Sequence, residues 1–283
     1  MATSISDSVT VQDVEYQRHG DQPRLARIYR PSGPGPFPAL VHVHGGAWVN
    51  GDRTNDGAMN RLLAARGVLV AALDFRQPPE AGYPASLSDI NLGIRWLKVN
   101  AGQFGGASKV GGIGISSGGH QIVLSALRPR DARYAALSLP DHPRIDASLS
   151  YVVACWPVID PFYRYQEVAR KLHREEMISA HQRYWGSDEA MQEGTPVHAL
   201  EHDAAVAMPP ILLLQREGDP VHPLPMQQRF VAAYQQRGGD IRLEMFSGVA
   251  ERFAPAEDAP ETMRVMDLIT TFIKQQAGEE QAS

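Results

Sequence analysis

Cysteine is almost absent from this sequence, with the single residue Cys155 in a chain of 283. One cysteine excludes an internal disulfide, and its place in the apolar run SYVVACWPV favours a buried structural thiol over a nucleophile. A basic stripe is missing as well, since 27 Lys and Arg and 32 Asp and Glu are spread along the chain, with a formal net charge of −5. We therefore expect no nucleic-acid partner.

Long apolar runs are also missing. No stretch of about 18 apolar residues occurs, which argues against a transmembrane helix. The opening segment MATSISDSVTVQDVEYQ carries acids and lacks the apolar core of a secretion signal. We therefore expect a cytoplasmic protein without a membrane partner. The hydrophobic content of 43% and charged content of 21% are those of an ordinary globular chain, and residues 1–283 suit one domain.

Apolar runs bounded by turn residues alternate with helical patterns along most of the chain. This order predicts a mostly parallel sheet with helices on both faces, the α/β class. The predicted strands cover residues 9–16, 24–29, 39–44, 68–75, 109–115, 148–158, 210–215 and 241–246, and the predicted helices 57–66, 87–100, 121–127, 225–236 and 261–275. From about 161 to 207 the sequence is polar and helical in pattern, which indicates a lid inserted over the sheet.

The segment Gly114-Ile115-Ser116-Ser117-Gly118 follows a predicted strand and precedes a predicted helix. A G-x-S-x-G pattern in that context is typical of a nucleophile elbow, in which the serine hydroxyl stands above the edge of the sheet. The helix that follows would direct its N–H groups and positive dipole end toward a developing anion. A plain Gly-rich turn is the alternative for this pattern alone.

A second glycine motif, His44-Gly45-Gly46-Ala47-Trp48, follows the predicted strand at 39–44. Successive glycines let a backbone curl so that several N–H groups point to one spot. Gly45, Gly46 and Ala47, with Ser117, are therefore candidates for an oxyanion hole, whose donors contribute about 2.7–4 kcal/mol each. The two motifs in this order favour that reading over a tight turn that needs glycine for its geometry alone.

HGGAW, the loop DFRQPPEAGYPASLSDI and GISSGGH together resemble the esterase/lipase branch of the α/β-hydrolase fold, with similarity to hormone-sensitive-lipase-like and kynurenine-formamidase-like enzymes. The resemblance covers nearly the whole chain in element order. It implies cleavage of a small-molecule ester or amide without a cofactor or metal, with Ser116 as nucleophile. Asp219, after the strand at 210–215, matches the family's acid, which orients the base; capping of the next turn is the alternative. Fold analogy suggests a monomer or homodimer.

The family's histidine, in a pattern like G-x-x-H-x-F, is replaced here. Residues 248–253 read GVAERF, with Glu251 at the histidine position. Glu251 could serve as base only if its pKa rose from about 4.3 beside Asp219 in a dry pocket. His222, three residues after Asp219 and the last histidine in the sequence, is the other candidate base. A surface or binding contact is the alternative role for His222.

Aromatic and basic side chains are frequent in the predicted lid. Trp48, Tyr163 and Trp185 are candidate substrate-binding residues, because aromatic rings can line a pocket for a planar or apolar substrate. Packing of the lid on the body is the alternative. Three arginines of the lid are consistent either with recognition of an acidic substrate or with a solvated helix face: Arg164, Arg170 and Arg174.

Three functions remain open at this point. The first is a serine hydrolase that forms an acyl intermediate on Ser116. The second is a non-hydrolytic lyase, dehydratase or cyclase, in which the oxyanion hole stabilises an enolate and Glu251, Asp219 or His222 moves protons. The third is a ligand-binding protein without turnover. Loss of the standard histidine, with the HGGAW and elbow motifs retained, is the feature that favours the second function.

Overall fold

The computed structural model describes residues 9–203, 205–247 and 260–278. In this part of the chain eight strands form one sheet, in the order β1-β2-β4-β3-β5-β6-β7-β8. The strands are β1 Val9–His19, β2 Gln22–Pro31, β3 Phe37–Val43, β4 Leu69–Leu73, β5 Gly106–Ile115, β6 Val152–Cys155, β7 Ile211–Arg216 and β8 Ile241–Phe246.

The sheet is antiparallel at one edge and parallel elsewhere. Strands β1 and β2 form a hairpin, and β2 also pairs antiparallel with β4. All later pairs, from β4–β3 to β7–β8, are parallel. Every residue of β4 and of β6 is buried, as expected for parallel strands covered on both faces. The mostly parallel α/β architecture predicted from the sequence is confirmed.

Helices cover both faces of the sheet. They are α1 Gly57–Ala65, α2 Ala85–Asn100, α3 Ser117–Leu127, α4 Pro161–Tyr163, α5 Glu175–Trp185, α6 Asp188–Glu193, α7 Pro196–His202, α8 Leu224–Gln236 and α9 Pro260–Gly278. Apolar residues of α2, α3 and α8 bury one face of the sheet, for example Ile94, Ile122 and Phe230. Residues of α1 and α9, such as Leu63 and Ile269, bury the other face.

The segment between β6 and β7, here called the lid segment, runs from Pro161 to His202 and contains α4 to α7. A π-helical turn, Arg164–Arg170, follows α4 directly. A separate apolar cluster forms where the lid segment meets the residues after β3, and Trp48, Tyr184 and Trp185 belong to it. The helical character predicted for this region is therefore observed, and several of its apolar side chains pack inward, whereas Leu172 and Tyr163 are exposed.

Two element boundaries differ from the predictions for identifiable reasons. The strand predicted at 148–158 is shortened to β6, because Trp156 has a φ of 34° and is followed by Pro157. Helix α3 begins at Ser117 rather than at residue 121, so that Gly118 and Gly119 lie inside it. Among the described helices, none combines the length and apolar character that crossing a bilayer would require.

Candidate active site

The candidate residues meet at the carboxyl ends of the parallel strands. The HGGAW motif follows β3, Ser116 follows β5, and the loop of Asp219 and His222 follows β7. Ligands of open α/β sheets bind in this position, outside the carboxyl ends of the strands. The sheet thus brings together three loops that are far apart in the sequence.

Ser116 sits on a strained turn between β5 and α3. Its φ of 54° and ψ of −117° lie where residues other than glycine are rarely found. The backbone of Ser116 is fixed on both sides: its N–H donates to the Cys155 carbonyl at 3.0 Å, and its carbonyl accepts from the N–H of Val158, also at 3.0 Å. A side chain at Gly114 would clash with the Gly118 carbonyl, and one at Gly118 with the Val43 carbonyl. The turn therefore requires both motif glycines.

Ser116, His222 and Asp219 form a connected chain of hydrogen bonds. The distance from Ser116 Oγ to His222 Nε2 is 3.1 Å, and His222 Nδ1 lies 3.0 Å from Asp219 Oδ2. Because a carboxylate only accepts, Nδ1 carries the proton and Nε2 presents its lone pair to the serine hydroxyl. Ser116 is half-buried, whereas His222 and Asp219 are buried. The arrangement has the geometry of a serine–histidine–aspartate triad.

Asp219 is the centre of the loop that carries the histidine. Its Oδ1 accepts from the N–H groups of Val221, at 2.8 Å, and of His222, at 3.0 Å. Its Oδ2 also accepts from Arg216 Nη2 at 2.8 Å. The side chain of Gln215 donates to the His222 carbonyl at 2.9 Å. These hydrogen bonds of Asp219 stabilise a tight loop. The loop places the Asp219 carboxylate beside the His222 imidazole, although the two residues are only three positions apart.

Electrostatics hold the pair in the ionisation states that base catalysis needs. Burial alone would raise the pKa of Asp219, but hydrogen bonds and the charge of His222 outweigh it and hold this pKa well below its usual range. Burial lowers the pKa of His222, and the hydrogen bond with Asp219 offsets only part of that effect. The cations Arg164 and Arg216 lower the pKa of His222 further. A neutral imidazole beside an ionised carboxylate is expected near neutral pH.

The HGGAW loop lies against the serine. A Cβ atom at Gly45 would come within 3.5 Å of Ser116 Cβ. Gly46, Ala47 and Trp48 have φ values of 118°, 52° and 65°, so the loop makes three successive left-handed steps. A side chain at Gly46 would clash with the Asn50 carbonyl. The loop therefore curls tightly beside the buried Ser117, and its role as an oxyanion hole stays a prediction.

A cavity of about 580 Å³ opens above Ser116. Ser116, His222, Gly45 and Gly46 all contribute to its wall. Sequence reasoning missed Trp156 and Arg216, which also line it, as well as the polar rim of Asn50, Thr54, Asn55 and Asp56. Arg216 is the last residue of β7, and its position at the carboxyl end of a strand was the sequence signal that could have identified it as a cavity residue.

The three aromatic residues predicted to bind substrate lie elsewhere. Trp48 and Trp185 are 1% and 4% exposed, and both belong to the apolar cluster between the lid segment and the HGGAW loop. Tyr163 is 36% exposed. None of the three is in the wall of the cavity above Ser116. The structure therefore does not bring them to the described cavity, because the two indoles fill the protein interior.

His120 links the HGGAW loop to the lid segment. Its Nδ1 accepts from Trp48 Nε1 at 3.2 Å, so its Nε2 carries the proton and donates to the Gly194 carbonyl at 2.8 Å. Burial lowers the pKa of His120 to about 4, which keeps the ring neutral. The HGGAW loop is thus tied to the lid segment through a neutral histidine. The other candidate base, Glu251, lies outside the described residues.

Sequence comparison finds esterases of greater length. A model of the BD-FAE family matches residues 27–233. Esterase LipC of Mycobacterium tuberculosis is 31% identical over 199 residues, which cover 69% of this chain and 48% of that protein. Isoprenylcysteine alpha-carbonyl methylesterase of Arabidopsis thaliana is 27% identical over 240 residues, which cover 81% of this chain and 54% of that protein. The chain spans about half the length of these relatives.

Solved structures of esterases share the fold over almost the whole chain. Esterase B of Lactobacillus rhamnosis superimposes with a TM-score of 0.79 at 18% identity, covering 98% of this chain and 90% of that chain. An esterase of the archaeon Pyrobaculum calidifontis gives a TM-score of 0.74 at 22% identity, covering 96% and 88%. These similarities confirm the predicted α/β-hydrolase fold.

Proposed function

Since the chain belongs to the BD-FAE family and has an α/β-hydrolase fold of the esterase/lipase branch, we propose that it is a serine hydrolase of small esters. Ser116 is the nucleophile, His222 the general base, and Asp219 the group that orients the base. The observation that carries this proposal is the pair of hydrogen bonds from Ser116 Oγ to His222 Nε2 and from His222 Nδ1 to Asp219 Oδ2. The esterase names of the relatives support an ester over an amide.

In the proposed reaction His222 Nε2 removes the hydroxyl proton as Ser116 Oγ attacks the ester carbonyl. The carbonyl oxygen becomes an oxyanion, which N–H groups of the HGGAW loop and of Ser117 stabilise. His222 then gives its proton to the leaving alcohol, and an acyl group remains on Ser116. Water, activated by the same imidazole, releases the acid and restores the hydroxyl. Asp219 stays ionised and stabilises the imidazolium that forms twice in each cycle.

The N–H of Trp48 is a weaker candidate for the oxyanion hole than those of Gly45, Gly46 and Ala47. It donates to Ser117 Oγ at 3.2 Å and is thereby engaged within the protein. This bond joins the HGGAW loop to the first turn of α3. It supports an oxyanion hole that is assembled before substrate arrives, which is the arrangement that costs no reorganisation during the reaction.

Histidine is a better base for this serine than Glu251 on chemical grounds. An imidazole changes charge near neutral pH, whereas a carboxyl needs a large increase in its pKa to do so. Geometry adds a second reason, because His222 Nε2 is already within hydrogen-bond distance of Ser116 Oγ. The non-hydrolytic and binding-only functions drew their support from the lack of a histidine base. With His222 in reach of the serine, that support is reduced.

The test uses purified protein with short-chain para-nitrophenyl esters and a fluorophosphonate probe. We expect turnover and labelling in the wild type, loss of both in Ser116→Ala, and loss of turnover in His222→Gln. His202→Gln, which changes an exposed histidine of the lid segment, is the matched control and should keep full activity. If Glu251→Gln abolishes turnover while His222→Gln retains it, the glutamate is the base and our assignment is wrong. If the wild type neither turns over nor labels, the hydrolase proposal fails.

A further inference from the structure

Arg164 is a buried cation near the start of the lid segment. The residue is 2% exposed, and its guanidinium lies over the Trp48 ring, 5.4 Å from the ring centroid. Within the described part of the chain Arg164 makes no ion pair, and its buried Nε has no hydrogen-bond partner. Arg170, at the other end of the same π-helical turn, is exposed and donates a hydrogen bond to Gln166. The two arginines therefore differ in burial and in hydrogen bonding, although both belong to one stretch of sequence.

Other polar atoms without partners surround the same indole. Trp185 Nε1 and His181 Nε2 are buried and have no hydrogen-bond partner among the described residues. Their rings contact Trp48 at centroid distances of 5.6 and 5.0 Å. His181 Nδ1 donates to the Met177 carbonyl at 2.7 Å. Buried polar atoms without partners are rare in proteins, because each costs about 1–3 kcal/mol. One donor (Trp185 Nε1), one acceptor (His181 Nε2, since Nδ1 carries the proton) and one cation are thus found around one indole.

None of the described carboxylates forms an ion pair with Arg164, although the charge of Asp219 raises the pKa of Arg164 and offsets part of the effect of burial. Asp219 is already bonded to His222 and to Arg216. Asp160, four residues before Arg164, accepts from the N–H of Tyr163 at 2.9 Å and faces Arg229 at 3.4 Å. The charge of Arg164 nevertheless acts on the triad, since it lowers the pKa of His222. Burial lowers the pKa of Arg164 itself to about 9, which leaves it a cation at neutral pH.

A buried cation without a counterion is unfavourable by several kcal/mol, so its place in a fold calls for an anion that completes the site. Resting on the hydrolase function above, we propose that Arg164 binds a carboxylate of the substrate, and that the enzyme acts on small esters that carry a negative charge. The guanidinium fork suits a carboxylate, which it can hold through two parallel hydrogen bonds. Trp185 Nε1, whose ring contacts the same Trp48 indole, is a further buried donor without a partner among the described residues.

Arg164 lies between the parts that bind the reacting group. It contacts Trp48, which ends the HGGAW motif, and its charge reaches the His222 loop. It does not line the cavity above Ser116, so the lid segment must shift to admit the carboxylate. Arg164 opens the π-helical turn Arg164–Arg170, and π-helical turns are frequent at functional sites. Closure of a lid over a bound substrate is a common step in enzymes.

Matched esters test this proposal in the full chain. We would compare para-nitrophenyl hydrogen adipate with its neutral methyl ester, and acetoxybenzoate with methyl acetoxybenzoate, which place the carboxylate on the acyl or on the alcohol side. The wild type should prefer one acidic ester by roughly ten- to hundredfold in kcat/KM, as expected for a hydrogen-bonded charge. Arg164→Gln should lose that preference, read as the ratio of kcat/KM on the acidic ester to kcat/KM on its neutral partner, at a pH where His222 is neutral in both proteins. Arg170→Gln, the matched control, should keep the wild-type ratio.

The opposite results would overturn the proposal. A wild type that favours neither acidic ester has no carboxylate site, and an equal loss on acidic and neutral esters in Arg164→Gln indicates a structural role. Melting temperature separates these cases, because removal of a cation without a counterion should leave stability unchanged or raise it, whereas loss of a structural contact should lower it.

A binding measurement separates this inference from the hydrolase function. By calorimetry, monomethyl adipate should bind to Ser116→Ala and not to Ser116→Ala/Arg164→Gln, and dimethyl adipate should bind equally weakly to both. This experiment needs no turnover, so it decides the role of Arg164 even if no ester is hydrolysed. Equal binding of monomethyl adipate to both proteins would show that Arg164 does not hold the carboxylate.

Discussion

The two sides of the candidate site, around Ser116 and around His222, are built by different means. Around Ser116 and the HGGAW loop the backbone shapes the site, through positive φ angles at Ser116, Ala47 and Trp48 and through glycines that allow close approach. Around His222 side chains shape the site, since Asp219 stabilises the loop by accepting four hydrogen bonds. The part around Ser116 and the HGGAW loop, here called the backbone half, therefore depends on glycines at fixed positions in the sequence. The part around Asp219 and His222, here called the side-chain half, depends on side-chain contacts, which residues at other positions of a sequence could also make.

Replacement of the base should have the largest effect of any change on the side-chain half. His222→Gln keeps a polar group of similar size but cannot accept and return a proton, so we expect kcat to fall by about 10⁴-fold or more. Steady-state kinetics on a para-nitrophenyl ester measures this loss.

The double variant His222→Gln/Glu251→His tests whether a histidine at position 251 can serve as the base in place of His222. Recovery in that variant would show that the position after β8 can also reach Ser116.

Asp219→Asn should come next, with a loss of about 10⁴-fold or somewhat less in kcat. The amide can keep an acceptor for the two loop N–H groups, but it no longer fixes the proton on His222 Nδ1. Circular dichroism should show an unchanged fold, which separates this effect from collapse of the loop. Near-normal kcat in Asp219→Asn would remove Asp219 from the proposed triad.

Gly46→Ala tests the backbone half. The new methyl group would clash with the Asn50 carbonyl at a φ of 118°, so the loop must shift. We expect kcat to fall by about 10²–10³-fold with a nearly unchanged KM, as for the loss of one oxyanion donor. Gly238→Ala is a control with a positive φ of 81° but open space around it, and it should change stability only. Equal activity in the two variants would contradict the assignment of Gly46.

The pH dependence should show the smallest effect. Neutral His222 is the active form, so kcat/KM should fall as the pH falls through a pKa that lies below the usual value for histidine. Arg216→Gln removes a cation that lowers this pKa, so the acid limb of the profile should move to higher pH. A limb that moves to lower pH would mean that Asp219 moves away from His222 once its bond with Arg216 is lost, because the contact with Asp219 raises the pKa of His222. That result would give Arg216 a mainly structural part.

The backbone half could be predicted from the sequence because its signals are local. A sharp turn needs glycine at particular positions, and both motifs follow apolar runs that became β3 and β5. The element order was predictable for the same reason, since buried parallel strands are continuous apolar runs. The side-chain half left two candidate bases. The choice between His222 and Glu251 depends on the conformation of the loop after β7, which no local sequence pattern predicts.

The aromatic residues show a further limit of sequence reasoning. Trp48 and Trp185 were expected in a pocket, but they pack against each other and against His120 inside the protein. An aromatic ring is equally suited to line a cavity or to fill a core, so composition alone does not separate the two. Arg164 was one of three similar arginines in the sequence, and only its burial distinguishes it from Arg170. Burial of one residue in a polar segment depends on tertiary packing.

The short distance in sequence between Asp219 and His222 has a practical consequence. The proposed acid and base lie in one continuous segment from Gln215 to His222, and several of its hydrogen bonds are internal. We therefore expect that this segment could be grafted as a single insert after the corresponding strand of another hydrolase. It would also free the segment after β8 in the recipient for redesign, for instance as an entrance of altered width.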